Sequence, residues 1–218
     1  MYNKDNFDDF WKEVVLKRFP KAKIKYKNES SLMHFLGCFS PNFYDNFTTT
    51  IGQTIYFPSK ERLEKDYSKS LIILAHEFVH LTDREPEAFG MFELKYLFPQ
   101  ILAVFGLFSF GAFWNLWLLL FLLFLVFLVP GIPSTWRTYF EANGYTMNLY
   151  TLFNGAPWSS EIENKSKEIS AIFIGRDYWY MARDRQLMEK MLEDRYERFP
   201  ETHVAFTEVK KWLQIPVS

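Results

Sequence analysis

The sequence predicts an α+β fold, mainly helical with a small sheet, interrupted by an apolar helical hairpin. Three observations carry this expectation. Phe7, Phe10, Trp11, Val14 and Val15 recur at helical spacing, as apolar residues do again in the last third of the chain. Two short runs, 21–27 and 48–57, have the alternation or the β-branched and aromatic content of strands. From Tyr96 to Pro130 the clearly polar side chains are Gln100, Ser109 and Asn115, and no charge falls between Lys95 and Arg137.

Taken in order, the first helix spans about Asn6 to Phe19 and stops at Pro20. Lys21 to Lys27 alternates lysine with apolar residues, a half-exposed strand whose four lysines form a solvated face. A short helix follows from about Ser30 to Leu36. Thr48 to Phe57 is one strand ending at Pro58-Ser59, and Lys60 to Ser70 is a short helix and a turn. An apolar helix then runs from about Ser70 to Thr82. Beyond the apolar block a helix covers Trp136 to Leu152, and Asn154-Gly155-Ala156-Pro157 is a loop. Two or three amphipathic helices complete the chain, with Ser159 or Ser160 as an N-cap. The mixed charges from Arg183 to Arg198 read as a solvated helix face. Three parts result: 1–95, the apolar hairpin 96–133, and 134–218.

Composition narrows the function classes. A net charge of −1 over 218 residues supplies no basic field for nucleic acid. The single cysteine, Cys38, excludes an intrachain disulfide and fits a reducing compartment. The first nine residues, MYNKDNFDD, contain no apolar core of a signal peptide, so the polar part of the chain is expected in the cytoplasm.

The chemistry concentrates at Leu74-Ala75-His76-Glu77-Phe78-Val79-His80-Leu81, an H-E-x-x-H pattern inside a helical apolar run. Residues four apart share a helix face, so both imidazoles can converge on one metal ion. Glu77, next to the first ligand, is placed to take a proton from a water polarised by that ion. By average residue frequencies the pattern arises by chance on the order of once in a hundred chains of this length. The rival readings are a pair of core histidines and a degenerate site. Zinc, one per chain, needs a third protein ligand. The positions three and six after His80 are Asp83 and Pro86, which excludes a further Gly and His there. Glu141, on the helix after the apolar block, is the expected third ligand, with Asp83, Glu85 and Glu87 as competitors. Asp83 can alternatively orient a histidine. His34 and His203 are isolated and read as structural. Tyr145, one turn beyond Glu141, can donate to the oxyanion of a tetrahedral intermediate, as can Tyr139; aromatic packing is the plainer role for both.

The order of strand, HExxH helix, apolar insertion and Glu helix, over about Thr48 to Tyr150, resembles the gluzincin branch of the zincins. It looks most like the membrane-embedded metallopeptidases of the CAAX-prenyl-protease and heat-shock-protease type. The resemblance implies a zincin-like domain and endopeptidase action on a peptide or protein substrate. It also implies zinc held by His76, His80 and Glu141, with Glu77 as catalytic base.

A shared ion restricts the topology of the apolar block. If His76, His80 and Glu141 bind together, both ends of the block lie on one side of any membrane, so it is a hairpin or a re-entrant loop. Arms of about Phe98 to Phe113 and Trp114 to Val129 are expected, with Pro99 in the first helical turn, Gly111 and Asn115 near the apex, and Pro130, Gly131 and Pro133 as the stop. Residues 96–133 thus contact lipid or an apolar protein partner, and the site faces the cytoplasm. A second class fits the same residues: a catalytically inactive zincin-fold component of an assembly such as a phage particle. A fourth protein ligand closing the site would mark that class.

Overall fold

The computed structural model describes residues 2–37, 41–87, 90–128, 134–175 and 181–214. Cys38 and the stop at Pro130, Gly131 and Pro133 lie outside these residues.

The fold is helical with one three-stranded sheet. Helix α1 (Lys4–Asp9) continues through a π-wound stretch, Phe10–Leu16. Strand β1 (Lys23–Tyr26), helices α2 (Ser31–Gly37) and α3 (Pro41–Asn46), and strands β2 (Thr49–Ile51) and β3 (Thr54–Phe57) follow. The sheet order is β1-β3-β2, with β1 parallel and β2 antiparallel to β3. Where one strand was expected from Thr48 to Phe57 there is a hairpin. Gly52 turns the chain at φ 63°, a left-handed conformation that glycine adopts without steric cost. The edge strand on this side is therefore β2.

Helix α4 (Lys60–Lys65) leads to α5 (Tyr67–Arg84), the HExxH helix. Asp66 caps α5 by accepting from the Lys69 N–H, and eleven consecutive or near-consecutive residues from Ser70 to Thr82 are buried. Phe78, on the side of α5 away from the metal ligands, meets Phe10 and Phe19 edge-on, at 6.3 and 6.0 Å between centroids. Helix α6 (Met91–Leu97) then precedes the apolar arms, and α7 (Thr135–Leu152) packs along α5 after them. Helices α8 (Ser160–Phe173), α9 (Arg185–Thr202) and α10 (Val204–Leu213) complete the core, α8 capped by Ser159 as the sequence suggests. Arg195 departs from the solvated face expected of α9: it is buried and donates to the Tyr139 carbonyl.

The two arms, Gln100–Phe113 and Leu116–Leu128, form an antiparallel hairpin with Trp114 and Asn115 at its tip. They are 3₁₀-wound, not α-helical. Phe105 and Phe108 in the first arm, and Phe121, Phe124 and Phe127 in the second, stand three apart, and residues three apart eclipse in a 3₁₀ helix. Phe105 stacks on Phe108 and Phe121 on Phe124, while Phe105–Phe124 and Phe108–Phe121 pair across the arms at 5.4 Å each. No single helix among the described residues is long and apolar enough to cross a membrane; Met91–Leu97 and Gln100–Ala112 are so only as a pair, bent by 86°.

Candidate metal centre

Helix α5 presents His76 and His80 on one face, and α7 crosses that face with Glu141, Gly144, Tyr145 and Asn148, residues at i, i+3, i+4 and i+7. The three expected ligands are brought together. His76 Nε2 lies 3.1 Å from His80 Nε2 and 3.6 Å from Glu141 Oε2, and His80 Nε2 lies 3.9 Å from Glu141 Oε1. Each of these residues is only 5–8% exposed. Ligands bonded at about 2.0–2.1 Å at tetrahedral angles sit about 3.3 Å apart, so the separations bracket those of a single four-coordinate ion. Two imidazole nitrogens and one carboxylate are a donor set suited to a divalent transition metal. A metal ion is therefore compatible with this buried group, whose ligand atoms all lie within 4.8 Å of one another.

The competitors are engaged elsewhere. Glu85 pairs with Arg18, and Glu87 with Lys95. Asp83 does bind a histidine, but not a ligand: it accepts from His203 Nε2 and from Asn143 Nδ2, each at 2.9 Å. His203 Nδ1 accepts the Ala205 N–H, which leaves the ring proton on Nε2 for Asp83. The carboxylate thus ties α5 to α7 and α10. His203 is structural as expected, and His34 rests against Tyr44.

Electrostatics favour a charged carboxylate at position 141. Burial alone would raise its pKa, but the His76 hydrogen bond and the charges of His80, His76 and Arg137 hold it down to about 2. Burial likewise opposes charge on His76; the hydrogen bond and charge of Glu141, with Glu77 and Asn148, outweigh it and raise that pKa.

Three contacts at the site escape sequence reasoning. The Tyr96 hydroxyl donates to Glu141 Oε1, and burial beside Glu141 holds its pKa well above the ordinary value, so the donor keeps its proton. Thr50, on edge strand β2, donates to Glu77 Oε2 at 2.7 Å and fixes that carboxylate beside the ligands. Gly144 is where α7 passes the His76 ring: a Cβ there would sit 2.4 Å from Nε2. A glycine in the middle of a helix, costing about 1 kcal/mol against alanine, is the one local signal that could have found it.

Tyr145 packs edge-on against His76 at 5.0 Å and against Phe173 at 5.3 Å. Tyr139 is turned away, 47% exposed with the Arg195 guanidinium over its ring. Compared with protein-family models, curated proteins and solved structures, the chain matches none. Function must be argued from the site.

Lys27 corrects the expected solvated face. Lys21, Lys23 and Lys25 are exposed, but Lys27 is fully buried. Burial lowers its pKa to about 8, against the opposing pull of the Glu77 carboxylate. The unfolded chain, with an ordinary value of 10.5, binds more protons between these limits, so stability is expected to rise with pH from about 8 to 10.5. Lys27→Met should lack that rise. Urea unfolding of both proteins at pH 7 and pH 10 checks it; parallel pH dependence of the two would refute it.

Proposed function

We propose that the protein is a zinc-dependent endopeptidase of zincin-like fold, anchored to a membrane by its apolar hairpin with the metal centre on the cytoplasmic side. The observation that carries the reading is the meeting of His76, His80 and Glu141 at separations of one tetrahedral ion, with Glu77 held beside them. Among the described residues the group has three protein ligands, which would leave a position open, as hydrolysis requires and a closed structural site does not. Bound zinc would polarise a scissile carbonyl and acidify a water. Glu77, oriented by Thr50, receives the proton of the attacking water and delivers it to the leaving amine. Edge strand β2, which carries Thr50, can hold an extended peptide by strand addition and so bring a scissile bond alongside Glu77. Tyr145 contributes by packing His76 in place.

The membrane part rests on the arms. At about 2.0 Å per residue, fourteen 3₁₀-wound residues reach about 28 Å, close to the hydrocarbon thickness that a sixteen-residue α-helix of about 24 Å would miss. The first arm exposes Phe105, Leu107, Phe108 and Phe110, and the second Leu116, Trp117, Leu120 and Leu123, an outer surface suited to lipid.

Glu141→Gln tests the ligand set. Zinc affinity is expected to fall by more than about 100-fold, since loss of an outer-shell partner alone costs about 10–100-fold, the range expected for Tyr96→Phe. Metal content after dialysis against a graded chelator reads both. Unchanged stoichiometry in the glutamine variant would remove Glu141 from the site.

A further inference from the structure

Helix α6 has two apolar sides. Phe92 and Tyr96 face inward: the Phe92 ring packs 4.6 Å from that of Phe140, and the Tyr96 hydroxyl reaches Glu141. Met91, Leu94, Leu97 and Phe98 face outward and are 39–48% exposed. At about 100° per residue the two groups lie on opposite sides of the helix, with Glu93 and Lys95 at the two borders between them. Each border residue is neutralised, Glu93 by Arg84 at 2.7 Å and Lys95 by Glu87 at 2.6 Å. An exposed apolar stripe edged by charge on both sides is the surface of a helix lying at a lipid–water boundary.

The angle agrees. Helix α6 is bent 86° from the first arm, so an arm standing along the membrane normal lays α6 flat in the membrane plane. Aromatic residues mark two levels. At the base of the hairpin Trp136 is 46% exposed with Lys95 Nζ 5.0 Å from its ring centre; at the tip Trp114 and Trp117 are 87% and 76% exposed. Amphipathic aromatics at two levels about 28 Å apart, with no charge between them, fit the two interfaces of a bilayer. A protein partner would place no such demand on both ends.

We propose that α6 is an in-plane lipid-interface helix. Its outer stripe seats in the headgroup–acyl boundary while its inner face supports the third metal ligand, which puts the metal centre one helix diameter, about 10 Å, from the membrane surface. The proposal rests on the reading that the hairpin enters a bilayer.

Depth measurement separates the two. In a Cys38→Ser background, an environment-sensitive fluorophore is attached to a single cysteine at Leu94→Cys, Glu93→Cys or Leu120→Cys. Each full-length chain is reconstituted in phosphatidylcholine–phosphatidylglycerol vesicles, with zinc content as the check of folding. Lipids brominated at defined depths and aqueous iodide serve as quenchers. The label at 94 is expected about 5–10 Å into the boundary, that at 120 near the bilayer centre, and that at 93 open to iodide. Iodide quenching at 94 equal to that at 93, with 120 still deep, would overturn the proposal and leave the membrane hairpin standing. A label at 94 as deep as that at 120 would overturn it too. Iodide quenching at 120 would overturn the hairpin reading and this one with it.

Discussion

Glu77→Gln is expected to reduce peptide hydrolysis by about 10²–10⁴-fold while zinc stays bound. The carboxylate is not one of the three converging ligands, so its replacement removes no donor to the metal. An amide is nearly the same size and still accepts the Thr50 hydroxyl, which keeps β2 against α5. What it cannot do at neutral pH is take a proton from water. Metal content by mass spectrometry and turnover of a quenched-fluorescence peptide library, measured on the same preparations, isolate that single function. A variant that keeps both zinc and wild-type turnover would assign the base elsewhere.

The second large effect concerns a residue with no functional group. Gly144→Ala is expected to lower zinc affinity by about 10–100-fold or more, from the roughly 1–3 kcal/mol of a misfitted methyl group in a packed site. The added carbon would stand 2.4, 2.6 and 2.7 Å from the Nε2, Cε1 and Cδ2 atoms of His76. Relief requires the ring to swing off the point it shares with His80 and Glu141, or α7 to lift and take Glu141 with it. Either motion dismantles the ligand set. Alanine is meanwhile the better helix former by about 1 kcal/mol, so the metal-free protein need lose little stability. The diagnostic result is a metal-free melting temperature near that of wild type beside a weakened zinc isotherm. Undiminished zinc affinity would mean that α7 does not pass His76 so closely.

The parts of this protein legible in its sequence are those set by short-range geometry. His76 and His80 share a face because helices repeat every 3.6 residues, and that period holds through α5. Glu141 could be singled out because few acidic residues follow the apolar block closely on a helix. Lys27 was misread for a reason local to the strand. Alternation holds through Lys25, but β1 ends at Tyr26 and a 3₁₀ turn over Lys27–Glu29 breaks the phase, turning the lysine inward. The run from Thr48 to Phe57 has strand chemistry throughout, and Gly52 alone folds it into two. The arms were expected to be helical, and they are, but with about three residues per turn; the three-residue spacing of their phenylalanines reads as mere hydrophobicity when only polarity is scored. Tyr96, Thr50 and Asn148 were beyond reach, because their roles exist only once α6, β2 and α7 have met α5.

Sixty residues separate His80 from Glu141, and the whole hairpin lies among them. During synthesis the two histidines emerge first, and the ligand that completes their set arrives only after both arms have been made and folded back. Closing a loop of that length costs about 3–4 kcal/mol of chain entropy, which metal capture would offset. On the proposed reading, catalytic competence would thus be coupled to the order of assembly. An unfinished chain that ends before Glu141 would hold the two histidines without their carboxylate, so on that reading hydrolysis could begin only after the whole hairpin has been made.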